Sequence, residues 1–185
     1  PQVAFRLTHN GREVHNRPAA ASTRDRVRDL FGSELAEDLL PLRERTGPIS
    51  VAGLAGRPGA ARSSSKWQYV FLNGRYIRDR GVSHALREAY RGLLDPSRSA
   101  VAFLFLRVDP GEVDVNVHPT KVEVRFRDGG GVHGAVLAGL RETLQRAQLT
   151  PAASLDQATS DAVPTQEEHG GSNEDRRESL RQALA

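Results

Sequence analysis

The sequence predicts an α+β domain, one mixed sheet with helices packed on one face. Three observations carry that reading. Two Asn-Gly pairs, Asn10-Gly11 and Asn73-Gly74, sit between alternating apolar runs, the signature of a two-residue hairpin turn. The run SAVAFLFLRVD at 99–109 is almost continuously apolar, as a strand buried on both faces must be, so it belongs near the centre of its sheet. Val82, Leu86, Ala89 and Leu93 recur at helical spacing and predict an amphipathic helix over 82–94.

The elements follow in order. In VAFRLTHNGREVHNRPA, Val3, Phe5 and Leu7 alternate, His9-Asn10-Gly11 makes the turn, and the chain returns through Val14. STRDRVRDLFG begins with a Ser22/Thr23 cap, places Val27, Leu30 and Phe31 on one helical face and stops at Gly32. SELAEDLLPL reads as a second short helix, with Ser33 as its cap and Pro41 near its end. GPISVAGLAGRP reads as a strand with Ile49, Val51 and Gly53 in phase, and GRPGAARSSS as a flexible loop. KWQYVFLNGRYIRDR is the second hairpin, followed by the 82–94 helix and the central strand. DVNVHPTKVEVRF, residues 114–126, then reads as two alternating strands interrupted by Pro119, and GVHGAVLAGLRETLQRA closes the domain as a helix with Val136, Leu140 and Leu144 on one face.

Residues 1–149 suffice for one domain of this kind, since domains cluster near ~100–150 residues. From Thr150 onward the composition turns to Pro, Ala, Ser, Gln, Glu and Gly without an apolar period, so 150–185 reads as a flexible linker or tail. The 185-residue chain has no cysteine, which excludes disulfides, Cys-ligated zinc and thiol catalysis and suits a reducing cytoplasm. No run approaches the ~18 apolar residues needed to span a bilayer, so a soluble chain without a membrane partner is expected. There is also no methionine, and a strand-like segment follows Pro1 at once, which reads as a fragment of a longer protein. Charge is uneven: residues 151–185 carry net −4 and residues 1–150 net +7, with 24 of the 26 basic residues arginine. An arginine-rich domain favours phosphate contacts, although such a balance also arises without any nucleic-acid role.

Two stretches could carry chemistry. In His118-Pro119-Thr120-Lys121 the proline removes a ladder donor and forces a bend, leaving Lys121 at the lip of a strand where its stem can reach an anion. A solvated lysine beside a proline corner is the plainer alternative. In NGRYIRDR a regular return strand would put Arg75, Ile77 and Asp79 on one face and Tyr76, Arg78 and Arg80 on the other, so Arg78 and Arg80 could straddle a phosphate backbone. A charged edge strand that resists aggregation has the same appearance. DGGG at 128–131 is a helix-start loop, and Asp109 and Asp114 are turn residues around Pro110-Gly111. No P-loop, HExxH or GxSxG occurs, and the six histidines show no spacing with carboxylates that suggests a metal site, so none is expected.

FLNGRYIRDR at 71–80, the following helix and strand, and DPGEVDVNVHPTKVEVRF at 109–126 resemble the MutL family of DNA mismatch repair proteins, specifically the second domain of its N-terminal half. FRLTHNGREV and LFGSELAEDLLPL resemble the same region, the likeness covers residues 1–149, and the remainder resembles the start of that family's interdomain linker. The resemblance implies a ribosomal protein S-five domain-two-like fold, shared with the gyrase B transducer. It implies a GHKL ATPase in which another domain binds ATP and Mg2+ while this one contributes a lysine, here Lys121, to the γ-phosphate. It also implies a DNA groove using basic residues after the NGR turn, best matched by Arg80, then Arg78 and Arg75. ATP-dependent homodimer closure around DNA, with MutS as partner, follows from the same likeness. The family's catalytic glutamate, magnesium-binding asparagine and ATP lid are absent from this chain, so no ATP turnover is expected from it alone. A gyrase-B-like transducer is the alternative, but that family carries Gln-x-Lys where this chain has His-Pro-Thr-Lys; a stand-alone nucleic-acid-binding module is the third reading.

Overall fold

The computed structural model describes residues 1–115 and 122–149; the predicted linker at 150–185 and Lys121 lie outside the described residues. The first hairpin forms as expected, β1 (Phe5–His9) against β2 (Arg12–Arg17), with Asn10 and Gly11 both at positive φ as a type I′-like turn requires. It is a separate two-stranded sheet. The Arg26 guanidinium ties it down by donating to the carbonyls of Pro1, Val3 and Pro18.

Helix α1 (Thr23–Phe31) starts at Ser22, whose hydroxyl accepts from the Asp25 amide, and stops at Gly32 with φ 96°. Val27 is buried and Phe31 half-buried, but Leu30 faces solvent rather than sharing their face. Helix α2 (Ser33–Glu37) is shorter than predicted, and Gly32, not Ser33, is its N-cap. The chain then leaves the helix and forms a strand, β3 (Leu39–Thr46), where the sequence predicts that the second helix continues as far as Leu42. Arg24 fixes this change of direction, donating to the carbonyl of Ala36 at 2.6 Å, which the helix end would otherwise leave unpaired, and to that of Leu39 at the start of β3 at 2.7 Å. Pro41 is tolerated because β3 is an edge strand, paired on one side only.

Gly47-Pro48 turns β3 into β4 (Ile49–Gly56). The next residues are built, not a featureless loop: two short 3-10 turns, Pro58–Ala60 and Ser65–Trp67, flank a bridge in which Arg62 and Ser99 exchange both backbone hydrogen bonds. The second hairpin is β5 (Gln68–Leu72) and β6 (Arg75–Ile77), followed by α3 (Arg80–Ala89) and then β7 (Ala102–Arg107). Strand order is β3-β4-β7-β5-β6, so β7 is central as its apolar run predicted; it lies antiparallel to β4 and parallel to β5. Gly53 of β4 lets the β7 backbone come close, since an added Cβ would run into the Phe103 carbonyl oxygen. The two residue pairs of β8 (Val113–Asp114) and β9 (Arg125–Phe126) follow, then α4 (Gly129–Leu149). The glycines at 129–131 form the first turn of α4, and the Asp128 carboxylate accepts from the Gly131 amide at 2.7 Å.

The result is a mixed α+β fold with one five-stranded mixed sheet. Alternation sorts its side chains: Leu42, Val51, Leu104, Leu106, Val70 and Ile77 point to the face covered by α3 and α4, where Val82, Leu86, Val136 and Leu140 complete the main core. On the opposite face, among the described residues, cover lies at one end, where Val27, Leu35 and Phe31 of α1 and α2 meet Leu54, Phe103 and Tyr69. Tyr90, just past α3, donates its hydroxyl to the Gly56 carbonyl at 2.6 Å, and burial pushes its phenol pKa up.

Candidate functional site

The site is assembled where β6 hands over to α3. Asn73 opens the hairpin turn at φ 49° and also anchors it to the central strand: its side-chain amide donates to the Val108 carbonyl at 2.8 Å and its oxygen accepts from the Val108 amide at 3.2 Å. One residue therefore makes the turn and docks it. Arg75, the first residue of β6, is exposed and pairs with Leu72.

Two residues on, the strand ends at Ile77, and here the structure corrects the predicted facing of the arginines. Asp79 leaves the extended ladder to become the N-cap of α3, its Oδ1 accepting from the Val82 amide at 2.8 Å. Arg80 is thus the first residue of a helix, not the strand-face neighbour of Arg78. Arg78 remains with Tyr76 as expected, its Nε donating to the Tyr76 hydroxyl at 3.2 Å; that contact raises the affinity of an already cationic guanidinium for its proton. Arg75, Arg78 and Arg80 are all exposed. A cation on the first turn of a helix opposes the macrodipole, so Arg80 does not serve helix stability; with the positive helix end behind it, it favours an external anion.

The second predicted stretch meets the first at one hydrogen bond: the Arg78 amide donates to the Val122 carbonyl at 2.8 Å. Its outer ends are paired, Val113 with Phe126 and Asp114 with Arg125. His118, Pro119, Thr120 and Lys121 lie outside the described residues. Asp109 is a turn residue as expected, its carboxylate accepting from the Gly111 amide at 2.7 Å.

Sequence reading missed two features. The sheet face away from α3 and α4 carries a cross-strand row, Arg43-Ala52-Phe105-Phe71-Tyr76, with Phe71 and Phe105 stacked at 5.1 Å and Tyr76 edge-on to Phe71 at 5.9 Å. The adjoining row, Arg45-Ser50-Arg107, adds two more exposed arginines, and no acidic side chain belongs to this face among the described strand residues. Strand alternation could have found the arginines, but not which strands adjoin. The other is a group able to hold a cation, His84, Glu88 and His133. His84 and Glu88 are four apart on α3, a spacing visible in the sequence, whereas His133 comes from α4.

The family model "DNA mismatch repair protein, C-terminal domain" matches residues 27–145. The DNA mismatch repair protein MutL of Geotalea uraniireducens is 44% identical over 145 residues, covering 78% of this chain and 24% of that protein. The MutL of Syntrophotalea carbinolica is 45% identical over 148 residues, covering 79% of this chain and 23% of the relative. The chain therefore spans about a quarter of the length of these relatives. The crystal structure of the N-terminal domain of a DNA repair protein shares the fold, with a TM-score of 0.64 at 19% identity, over 80% of this chain and 49% of that one. No helix among the described residues is long and apolar enough to cross a membrane. With a family model matched over more than half its length, this chain belongs to the MutL family of DNA mismatch repair proteins.

Proposed function

We propose that this chain is the transducer module of a MutL-type ATPase, coupling ATP held elsewhere in the protein to DNA held on its own surface. Lys121 supplies a point charge to the γ-phosphate of an ATP–Mg2+ complex bound by another domain, and Arg80, Arg78 and Arg75 contact the DNA backbone. The observation that carries the reading is the bond from the Arg78 amide to the Val122 carbonyl. It joins Val122, the residue after Lys121 in the sequence, to the backbone of Arg78, so a pull on the phosphate-facing segment is felt at the DNA-facing one.

The chemistry of each part suits its role. Phosphate contacts position a duplex without reading sequence, as clamping requires, and exposed guanidiniums are suited to them. Arg43, Arg45 and Arg107, on a face with no acidic side chain among the described strand residues, add exposed guanidiniums suited to the same kind of contact. In the whole protein, ATP would close two copies into a homodimer around DNA, with MutS recruiting it to a mismatch; this chain by itself turns over no ATP.

Titration of the chain into labelled duplex DNA at two salt concentrations tests the DNA arm. Arg80→Glu should weaken binding by roughly tenfold at low salt and flatten the dependence of log K on log salt, because it removes about one phosphate contact and adds a repulsion. Binding that is unchanged by Arg80→Glu at both salts would remove these arginines from the interface.

A further inference from the structure

We propose that His84, Glu88 and His133 form a binding site for a zinc-class transition-metal ion that staples α3 to α4. His84 and Glu88 lie one turn apart on α3, and His133 reaches them from the second turn of α4. The ligating atoms make a compact triangle: His84 Nδ1 to His133 Nε2 is 3.0 Å, His133 Nε2 to Glu88 Oε2 is 3.5 Å, and His84 Nδ1 to Glu88 Oε2 is 3.9 Å. Bonds of ~2.0–2.1 Å in a tetrahedral zinc site imply ligand–ligand edges of roughly 3.3 Å, which these three distances bracket. Shifts of a few tenths of an ångström in exposed or half-buried side chains would centre an ion.

The surroundings select the ligand atoms. Arg141, also from α4, donates to Glu88 Oε1 at 3.1 Å, which orients the carboxylate and leaves Oε2 for the ion. To ligate, each imidazole presents a bare nitrogen at the 3.0 Å contact and carries its N–H on the ring's other nitrogen. Two imidazoles and one carboxylate suit Zn2+, Ni2+ or Cu2+ and not Mg2+ or Ca2+, which prefer all-oxygen shells. The fourth position is left for water. Arg80, His84 and Glu88 succeed one another at four-residue steps on α3, so the staple fixes the helix that begins with the proposed DNA-contacting arginine and adds positive charge to the same face. The site does not depend on that DNA role.

The test is thermal melting of the untagged 185-residue chain with Zn2+, Mg2+ or EDTA, paired with titration of Co2+ followed by its visible ligand-field bands. At about a hundredfold excess over Kd, Zn2+ should raise Tm by roughly 5–10 °C, EDTA should reverse the rise, and Mg2+ should give none. His84→Ala and His133→Ala should abolish both the rise and the Co2+ bands, and Glu88→Gln should weaken binding at least tenfold, while each metal-free variant melts like the metal-free parent. A chain with His9, His15, His118 and His169 all changed to Gln should keep the full response. A Zn2+ response that survives in the His84→Ala/His133→Ala double variant, that is lost in the four-Gln chain, or that never appears in the parent overturns the proposal.

Discussion

The two Asn-Gly hairpins begin alike and end differently. Asn10 and Asn73 both sit at φ 49° and each is followed by a glycine at positive φ, so the turn chemistry is the same. Yet Phe5, Leu7 and Val14 of the first hairpin are 44–50% exposed, whereas Val70, Leu72 and Ile77 of the second are buried. The difference is the neighbourhood. β5 has β7 on its other side and α3 closing behind it; among the described strands β1 and β2 pair with no third strand, with a register irregularity between Leu7 and Thr8. The family model follows the same division, starting at residue 27 and so containing only the second hairpin. Turn residues specify that two strands meet; only a third strand and a helix make the meeting part of a core.

Mutation should separate the two hairpins. Ile77→Ala should cost about 2–5 kcal/mol, because it empties a fully enclosed site, while Val14→Ala should fall within ~0.5 kcal/mol of the parent; equal losses in urea melts would make the hairpins structural equals. A smaller contrast separates the turns. Asn73→Ala strands both backbone groups of Val108 and loses a residue suited to positive φ, for about 2–3 kcal/mol, whereas Asn10→Ala loses the turn preference alone, ~1 kcal/mol or less. Tyr90→Phe deletes one buried hydrogen bond to Gly56 and should cost about 1 kcal/mol.

Much of the fold was legible because local and tertiary demands agree. The cap at Ser22, the stop at Gly32, the Asn73-Gly74 turn and the apolar run of β7 each have one low-energy reading, and the structure adopts it. β3 was not legible: Leu35, Leu39 and Leu42 keep helical spacing, so α2 seemed to continue, and Arg24, whose contacts end that helix, is far off in sequence. The signal that could have found β3 was Gly47-Pro48 standing between two alternating runs. At the candidate site the residues were legible and their setting was not. Strand phasing paired Arg78 with Arg80, but the Asp79 carboxylate gains more as a helix cap than the ladder gains from another residue. His84, Glu88 and His133 come together only through the packing of α3 on α4.

In the proposed function, one end of this domain senses a nucleotide phosphate bound elsewhere while the neighbouring arginines hold DNA. The most direct measurement is steady-state ATP turnover of the full-length protein with Lys121→Ala beside Arg80→Glu. The account predicts that Lys121→Ala lowers kcat by ~100-fold or more with DNA affinity of the ATP-free protein unchanged, and that Arg80→Glu weakens DNA binding while basal turnover persists. Normal turnover in Lys121→Ala would contradict it.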